Sequence, residues 1–453
     1  MKILMTGATG LIGKELGKTL AEKGHELFVI SRSLSKAREQ LPFPCEVIRG
    51  DLTKAVINDE RLSKIEAVVN LMGEPVGVGR WSKQKKEAIY ESRVIGTQNL
   101  VKSLKTPPQV IVSGSAMGYY GDCGGDVVSE DHAPGTDFLA KVCVDWEKAV
   151  EPLKSRKVFI RTGVVLAQEG GALAKMLFPF RMGLGGPLGD GKQWMSWIHL
   201  EDIVGLIVFA LENDKVGGPL NGVAPFPVSN REFSETLSRC LGKTMGPAVP
   251  VFALKLMFGE MATVILSSQQ GDVKKAITLG YKYRYEKLHD ALHEICAPFR
   301  AGEEFFEAQQ FVPEAPEKLF PFFQDPNNLE RITPQSLKFK IRKMSSSDIK
   351  QGTLIDYDLR IHGVPAKWQA EIDEWQPPFK FVDNQVKGPY RFWHHTHEFR
   401  PFRGGTLLVD RVRYRLPMGF LGWMVASHFV RQDVENIFSY RRRYIANLNE
   451  SRK

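Results

Sequence analysis

Thr6-Gly7-Ala8-Thr9-Gly10-Leu11-Ile12-Gly13 sets three glycines at three-residue spacing, directly after the apolar run Lys2 to Met5 and at the start of a helical pattern. Such a turn is suited to holding an anion, because its backbone approaches the ligand closely while the first N–H groups and the dipole of the helix meet the charge. Gly7, Thr9, Gly10, Leu11, Ile12 and Gly13 therefore read as the cradle of a dinucleotide pyrophosphate. The spacing is G-x-x-G-x-x-G, unlike the G-x-G-x-x-G of most dehydrogenases, and a glycine-rich turn without a ligand is the structural alternative. The second strand should end at Ile30, where an acidic residue usually meets the adenosine ribose. Ser31-Arg32-Ser33 stands there instead, with Lys36 and Arg38 nearby. An arginine holds a 2′-phosphate through charge-assisted hydrogen bonds that a carboxylate would oppose. The expected cofactor is NADP(H) in preference to NAD(H), contacted by Ser31 and Arg32; an ordinary exposed arginine is the alternative.

His394, His395 and His397 raise the question of a metal, since two-residue alternation puts His395 and His397 on one face of a strand. No carboxylate or cysteine is placed in the sequence to complete the shell, and Phe392, Trp393 and Phe399 surround them. Cavity lining or cross-strand packing is expected, with no metal. His199, followed by Glu201-Asp202, reads as a histidine held in a helix cap or as an acid or base. Trp194, Met195 and Trp197 either wall a hydrophobic pocket or belong to the core. Arg441-Arg442-Arg443 reads as a solvated helix end or a contact for acidic headgroups. Cys45, Cys123, Cys143, Cys240 and Cys296 show no paired spacing, which suits reduced thiols and not a disulfide framework or a structural zinc site.

These residues need elements to position them. A chain of 453 residues exceeds what one core accommodates, so at least two domains are expected. Hydrophobic content of 43% and charged content of 25% are those of a globular protein. The first residues pass straight into the glycine turn, leaving no room for a leader, and a cytoplasmic location is expected. Val251 to Leu266, the most apolar later stretch, is interrupted by Lys255 and Glu260 and reads as a buried or capping helix and not a transmembrane segment. The net charge of +9 is spread along the chain with no recognition motif, so no nucleic-acid partner is expected.

Lys2 to Met5, Glu26 to Ile30, Ala67 to Leu71 and Val110 to Val112 alternate with helical patterns, the signature of βαβ units and a parallel sheet. Val158 to Ile160 and Trp197 to His199 should extend that sheet, with Leu220 to Asn221 a further short strand. Residues 230 to 295 read as mainly helical, with a boundary near Cys296-Ala297-Pro298. Beyond it come an extended Phe305 to Val312, a helix through Phe323, a turn at Asp325-Pro326-Asn327-Asn328 and five alternating segments between Gly352 and Leu416. Consecutive strands with helices at either end imply an antiparallel α+β arrangement. The last helix, about Leu421 to Asn447, presents an apolar face of Val425, Phe429, Val434, Ile437, Phe438 and Ile445.

TGATGLIG at Thr6, Gly73-Glu74-Pro75 with Arg80-Trp81, SGSAMGYYG at Ser113, RTGVVL at Arg161 and FPFRMGLGGPLGDGKQWMSWIHLED from Phe178 together resemble an atypical short-chain dehydrogenase/reductase family of the NAD-dependent epimerase/dehydratase type. The resemblance covers about residues 1 to 295. It implies a doubly wound Rossmann domain over 1–244 and a small helical module over 245–297. It also implies that Asp51 and Leu52 lie by the adenine and that Leu71, Gly73 and Glu74 lie near the nicotinamide half. GTLIDYDLRIHGVPAKW from Gly352, GPYRFWHHTHEF from Gly388 and DRVRYRLP from Asp410 resemble a helix-grip domain of the START/polyketide-cyclase (SRPBCC) type, over 300–453. That resemblance implies a small hydrophobic or aromatic ligand in the C-terminal domain and leaves the oligomeric state open.

Reductases of the first family use a tyrosine as general acid with a lysine four residues later. Here Leu139 stands at the tyrosine position and Cys143 at the lysine position, matched through Glu147. The usual acid is missing. What remains is Ser115, which can orient a substrate oxygen, and Tyr120, which with Tyr119 lies on the loop expected to face the nicotinamide; Tyr120 or a water would give the proton. The purely structural reading is that both tyrosines pack against their neighbours. The expected activity is an NADP(H)-dependent oxidoreductase acting on a small, largely apolar carbonyl or unsaturated compound. Its alternatives are an epimerase or dehydratase working through transient oxidation, and a non-enzymatic sensor of NADPH and an apolar ligand.

Overall fold

The computed structural model describes residues 1–299, 303–417 and 419–451, apart from the side chains of 419–425, 428 and 449–451. The chain divides into two compact units, one of Met1–Leu34 and Cys45–Ala297, the other of Ser35–Pro44 and Pro298–Lys453.

The first unit is built on seven strands: β1 (Lys2–Thr6), β2 (Glu26–Ser31), β3 (Glu46–Arg49), β4 (Ala67–Asn70), β5 (Val110–Ala116), β6 (Arg156–Thr162) and β7 (Gly218–Gly222). They pair in the order 3-2-1-4-5-6-7, every pair parallel. Helices must then cover both faces, so the strands are apolar runs without alternation. Leu4, Val68 and Ile111 are fully buried accordingly. The three helices that matter for the site are α1 (Leu11–Glu22), α2 (Phe138–Lys148) and α3 (Leu200–Glu212). Asp137 caps α2, its carboxylate accepting from the Ala140 N–H at 2.9 Å.

Two expectations fail in this unit. Trp197–His199 does not join the sheet; it pairs with Val164–Leu166 in a separate two-stranded ribbon. The cause is Gly163, where a Cβ would lie 2.4 Å from the Ser196 carbonyl oxygen, so the chain leaves β6 and pairs anew. Of the two readings of Val251 to Leu266, buried or capping helix, the buried one does not hold. Gly259, at φ 61°, breaks it into Val251–Phe258 and Met261–Leu266, and Phe252 and Leu256 are 74% and 70% exposed. A stretch apolar on all sides has only one side to bury, and Leu254 takes it.

In the second unit β8 (Glu304–Val312), β9 (Lys340–Met344), β10 (Leu354–Ile361), β11 (Val364–Gln376), β12 (Lys380–Lys387), β13 (Phe392–Phe402) and β14 (Gly405–Arg415) form one antiparallel sheet in the order 8-14-13-12-11-10-9. Strand β9 is additional to the sequence reading. Burial alternates strictly along β13 from Phe392 to Phe399, as a sheet with one covered face requires. The expected turn at Asp325 is instead an N-cap: its carboxylate accepts from the Asn327 N–H at 2.9 Å and starts a short helix, Pro326–Arg331.

A long helix, α4 (Gly419–Ser451), closes the unit, burying Val434, Phe438 and Ile445; the rings of Phe438 and Phe306 lie 5.0 Å apart. Of its expected apolar face, Phe429 is 62% exposed and the Val425 side chain lies outside the described residues. Helix and sheet surround a cavity of about 450 Å³. No helix among the described residues is long and apolar enough to cross a membrane.

Candidate functional site: a glycine cradle, a buried polar network and a histidine-floored cavity

Each glycine of the first turn is required for a different contact. Gly7 has φ 68°, and a Cβ there would stand 2.4 Å from the Leu71 carbonyl oxygen. At Gly13 a Cβ would stand 2.4 Å from the Gly7 carbonyl oxygen, which lets α1 start hard against the turn. Gly10 is the N-cap of α1, exposed, with no side chain bonded to the helix start. The N–H groups that open α1 therefore face an uncapped, accessible end, as an anion cradle requires. Arg32 is exposed just beyond β2, and the Ser31 hydroxyl donates to the Ser33 carbonyl at 3.0 Å.

The other sequence-derived contacts vary in accessibility. Asp51 is half-buried and accepts from the Thr53 hydroxyl at 2.6 Å. The Leu52 side chain is buried with Leu4 and Ile48 in the core, leaving only its backbone for a ligand. Leu71 follows β4 and faces the glycine turn. At Gly73 a Cβ would meet the Arg93 guanidinium at 2.8 Å, and Glu74 is paired with Lys85 at 2.6 Å. Arg93 and Ser92, unanticipated from sequence, come from a π-helical turn, Glu91–Ile95, and bond the Glu74 carbonyl and N–H at 3.0 and 2.8 Å. Only a broken helical period brings them to that loop.

Ser115 and Tyr120 lie in one buried network. Ser115 is the register partner of Arg161 across β5 and β6. Its hydroxyl donates to Glu147 of α2 at 2.7 Å, and Arg161 grips the same carboxylate with two nitrogens at 3.0 Å. Arg161 also donates to the Tyr120 hydroxyl at 3.0 Å and stacks 3.4 Å from the Tyr119 ring centre. The Tyr120 hydroxyl in turn donates to Asn221 at 2.8 Å. Tyr120 is 3% exposed, and burial pushes its pKa up to about 12. Its proton is thus committed inside the protein. At the lysine position Cys143 is buried, and burial pushes its thiol up to about 12, so it offers neither a cation nor a thiolate. His199 is itself the cap of α3, Nδ1 accepting from the Glu201 N–H at 3.2 Å while its ring lies 3.9 Å from that of Tyr285. Trp197 is core, with its indole N–H on the Phe226 carbonyl; Trp194 and Met195 are half-buried.

The cavity of the second unit is walled by aromatic and branched side chains, including Phe323, Tyr357, Trp368, Trp375 and Trp393. Its floor is polar, and here two expectations from sequence are overturned. Carboxylates do reach the histidines: Asp383 of β12 and Asp410 of β14 flank them, because β13 lies between those strands in register His395↔Asp383 and His397↔Asp410. Arg441 is not a solvated helix end; it is 6% exposed and lies 3.1 Å from Asp410. Burial lowers His395 to about 4. Burial opposes ionisation of Asp410, but the Arg441 charge and the hydrogen bonds from His395 and His397 together outweigh it and hold that carboxyl well below the usual range.

An all-parallel sheet in the order 3-2-1-4-5-6-7 with a glycine turn after its first strand defines the doubly wound dinucleotide-binding class. Residues 3–221 match the NAD dependent epimerase/dehydratase family, and residues 249–295 match a domain of unknown function, DUF1731. A chloroplastic epimerase family protein SDR39U1 homolog from Arabidopsis thaliana is 42% identical over 307 residues, covering 65% of this chain and 86% of that protein. Human epimerase family protein SDR39U1 is 36% identical over 308 residues, covering 66% of this chain and 100% of that protein. The crystal structure of the human protein (isoform 2) with NADPH superposes with a TM-score of 0.59 at 34% identity, covering 66% of this chain and 99% of that one. MoeE5 with UDP-glucuronic acid and NAD, at 21% identity and a TM-score of 0.55, shares the fold. The chain belongs to the NAD dependent epimerase/dehydratase family, among the SDR39U1-like epimerase family proteins, and both family matches end by residue 295.

Proposed function

We propose that this protein is an NADP(H)-dependent oxidoreductase whose second unit, a helix-grip domain of the START type, holds a small, largely apolar ligand. The observation that carries the cofactor assignment is the pairing of an uncapped glycine-rich helix start with an exposed Arg32 where an acidic residue would mark NAD. The same cofactor is named in the crystal structure of the human relative. The turn fits the group, since a Cβ on Gly7 or Gly13 would strike backbone while Gly10 leaves the helix start open. Gly10, Leu11, Ile12 and Gly13 would hold the pyrophosphate, Ser31 and Arg32 the 2′-phosphate, and Leu71 and Gly73 the nicotinamide half.

When bound, NADP(H) supplies or accepts a hydride. Ser115 donates its hydrogen bond to Glu147, so its oxygen is left to accept one from the hydroxyl of the alcohol that pairs with a carbonyl substrate. Arg161 fixes Glu147 and thereby the Ser115 rotamer. Because Tyr120 is locked onto Asn221, the proton that accompanies hydride transfer comes from water. An epimerase or dehydratase would use the same cofactor site and differ by retaining it tightly through purification. The non-enzymatic sensor is favoured by one observation, the commitment of both Ser115 and Tyr120 hydroxyl protons to internal partners.

The test is a separate titration with NADPH and NADH, following energy transfer from tryptophan to the reduced nicotinamide. NADPH should bind at least about tenfold more tightly, a difference of ~1.4 kcal/mol, and Arg32→Asp should abolish the margin. Equal affinities in the parent protein would refute the NADP assignment. Tight NADPH binding without any NADPH oxidation across apolar carbonyl and enone panels would favour the sensor.

A further inference from the structure

The cavity floor of the second unit carries a donor set that the nucleotide site does not use. Asp383 faces both imidazoles with a single oxygen: Oδ1 lies 3.4 Å from His395 Nδ1 and 3.0 Å from His397 Nε2. The opposite nitrogens face Asp410 Oδ1, at 3.3 Å from His395 Nε2 and 2.8 Å from His397 Nδ1. The two imidazoles thus stand between two carboxylates, and the two sides differ in one respect. Arg441 supplies a cation on the Asp410 side, with NH1 3.1 Å from Asp410 and NH2 3.2 Å from His397 Nδ1. On the other side the direct contacts of Asp383 are to the two imidazoles, and Arg441 acts on it only through its charge.

Formal charge makes the asymmetry matter. With both imidazoles neutral, two carboxylates against one guanidinium leave one negative charge in a buried cluster, and buried charge without a counter-charge is costly. His395 is 8% exposed, and the nitrogen it turns toward Asp383 is Nδ1, at 3.4 Å. Ligand atoms of Asp383, His395 and His397 lie within 4.8 Å of one another, close enough for one ion to draw them together.

We propose that Asp383, His395 and His397 bind one divalent transition-metal ion, supported from behind by Asp410 and Arg441. Two imidazoles and one carboxylate form a borderline donor set; an all-oxygen shell would suit Mg²⁺ or Ca²⁺ and thiolates would suit softer ions. Zn²⁺, Fe²⁺, Mn²⁺ and Co²⁺ fit it. Asp410, 2.8 Å from His397 Nδ1, holds that ring from the side away from Asp383 and leaves Nε2 turned toward the Asp383 oxygen, the usual outer support of a metal-bound histidine. Phe381 stacks on the His397 ring at 4.0 Å and holds its plane. All three ligands line the cavity, so the positions they leave vacant open toward its apolar interior. An oxygen-bearing apolar ligand there would complete the shell.

The experiment uses tag-free, full-length protein stripped with a chelator. Co²⁺ is titrated with its visible absorption as the readout, and Zn²⁺ is then added as a competitor. One Co²⁺ per chain, displaced by one Zn²⁺, is expected. Asp410→Asn should weaken binding by roughly 10- to 100-fold, and Asp383→Asn or His395→Gln by more than that. His394→Ala, on the other face of β13, should leave it unchanged. Far-ultraviolet circular dichroism and thermal melting identify which variants are folded. Failure of the folded parent protein to take up either ion stoichiometrically overturns the proposal whatever the variants do, as does binding that survives both Asp383→Asn and His395→Gln.

Discussion

Replacing each glycine of the first turn by alanine should separate folding from binding in a way that a merely flexible turn would not. At Gly13 the new methyl would lie 2.4 Å from the Gly7 oxygen and 2.7 Å from Ala8 Cα, both backbone atoms that cannot swing aside. The start of α1 must withdraw by about 1 Å to restore ordinary contact, and overpacking of this kind costs ~1–3 kcal/mol. Gly7→Ala meets the Leu71 carbonyl at 2.4 Å and carries φ 68°, which adds ~1–2 kcal/mol of left-handed strain. Gly10 differs from both. Its φ is −75°, and the methyl would meet only the Gly7 oxygen at 3.2 Å, so Gly10→Ala should change stability by less than about 1 kcal/mol. Yet that methyl stands at the uncapped helix start and would crowd a pyrophosphate bound to its N–H groups. Losing one charge-assisted hydrogen bond costs ~1.5–3 kcal/mol, or roughly 10- to 150-fold in affinity. Thermal melting and NADPH titration of the three variants read the two effects separately: Gly7→Ala and Gly13→Ala lose both stability and binding, while Gly10→Ala loses binding alone. A Gly10→Ala protein that binds NADPH like its parent would refute the placement of the pyrophosphate on α1.

Glu147→Gln leaves the buried Arg161 guanidinium without its counter-charge and should cost ~3–5 kcal/mol by denaturant unfolding, whereas Glu147→Leu with Arg161→Met should cost far less; equal losses would show that packing, not charge, holds this corner. Tyr120→Phe removes a partner from both Asn221 and Arg161 and should lower stability by ~1–3 kcal/mol while leaving NADPH affinity unchanged. Any turnover found should survive that substitution, and a total loss of kcat in a folded variant would restore Tyr120 as the acid. The Cys143 thiol gives a pH signature: the unfolded chain releases this proton near pH 9, the folded chain keeps it to about 12, so stability is full below 9 and declines as pH rises through that window. Between pH 8 and 10 that decline is about 1.3 kcal/mol from this group, and Cys143→Ala should flatten the slope by that amount; an unchanged slope would mean the thiol is accessible to solvent.

The parallel sheet is legible in the sequence because its signal is local. Strands buried on both faces are continuous apolar runs, and the glycine turn marks where the first of them ends. Trp197–His199 has the same apolar character yet lies outside that sheet, since its partner is chosen by the close approach of Gly163 to Ser196, a contact 33 residues apart in sequence. The expected cofactor contacts rest on one turn and one strand end, and the backbone of both is legible for the same reason. Its catalytic half is not. The loop motif SGSAMGYYG draws attention to Ser115, but nothing in that motif says that Glu147, 32 residues later, accepts its hydrogen bond. Likewise Ser92 and Arg93 reach the Gly73–Glu74 loop only because the helix carrying them changes period at Glu91.

The cavity floor shows the same limit in its sharpest form. Alternation along one strand suffices to put His395 and His397 on a common face, and that much is readable. Whether a carboxylate meets them depends on the register of two hairpins, because a shift of one residue would turn Asp383 or Asp410 to the opposite face. Asp383 lies 12 residues before His395 and Asp410 lies 13 residues after His397, distances over which spacing alone gives no hint of contact. Arg441 is further removed still, on a helix whose basic triplet looks solvent-facing until the helix is laid across the sheet. At a period of 3.6 residues, Phe438 and Ile445 lie three and four residues to either side of Arg441 on that same covered face, so its burial follows from the helix once the face is known. A buried arginine then needs an acid, Asp410 supplies it, and the remaining acid, Asp383, is left to the two imidazoles and whatever cation they hold.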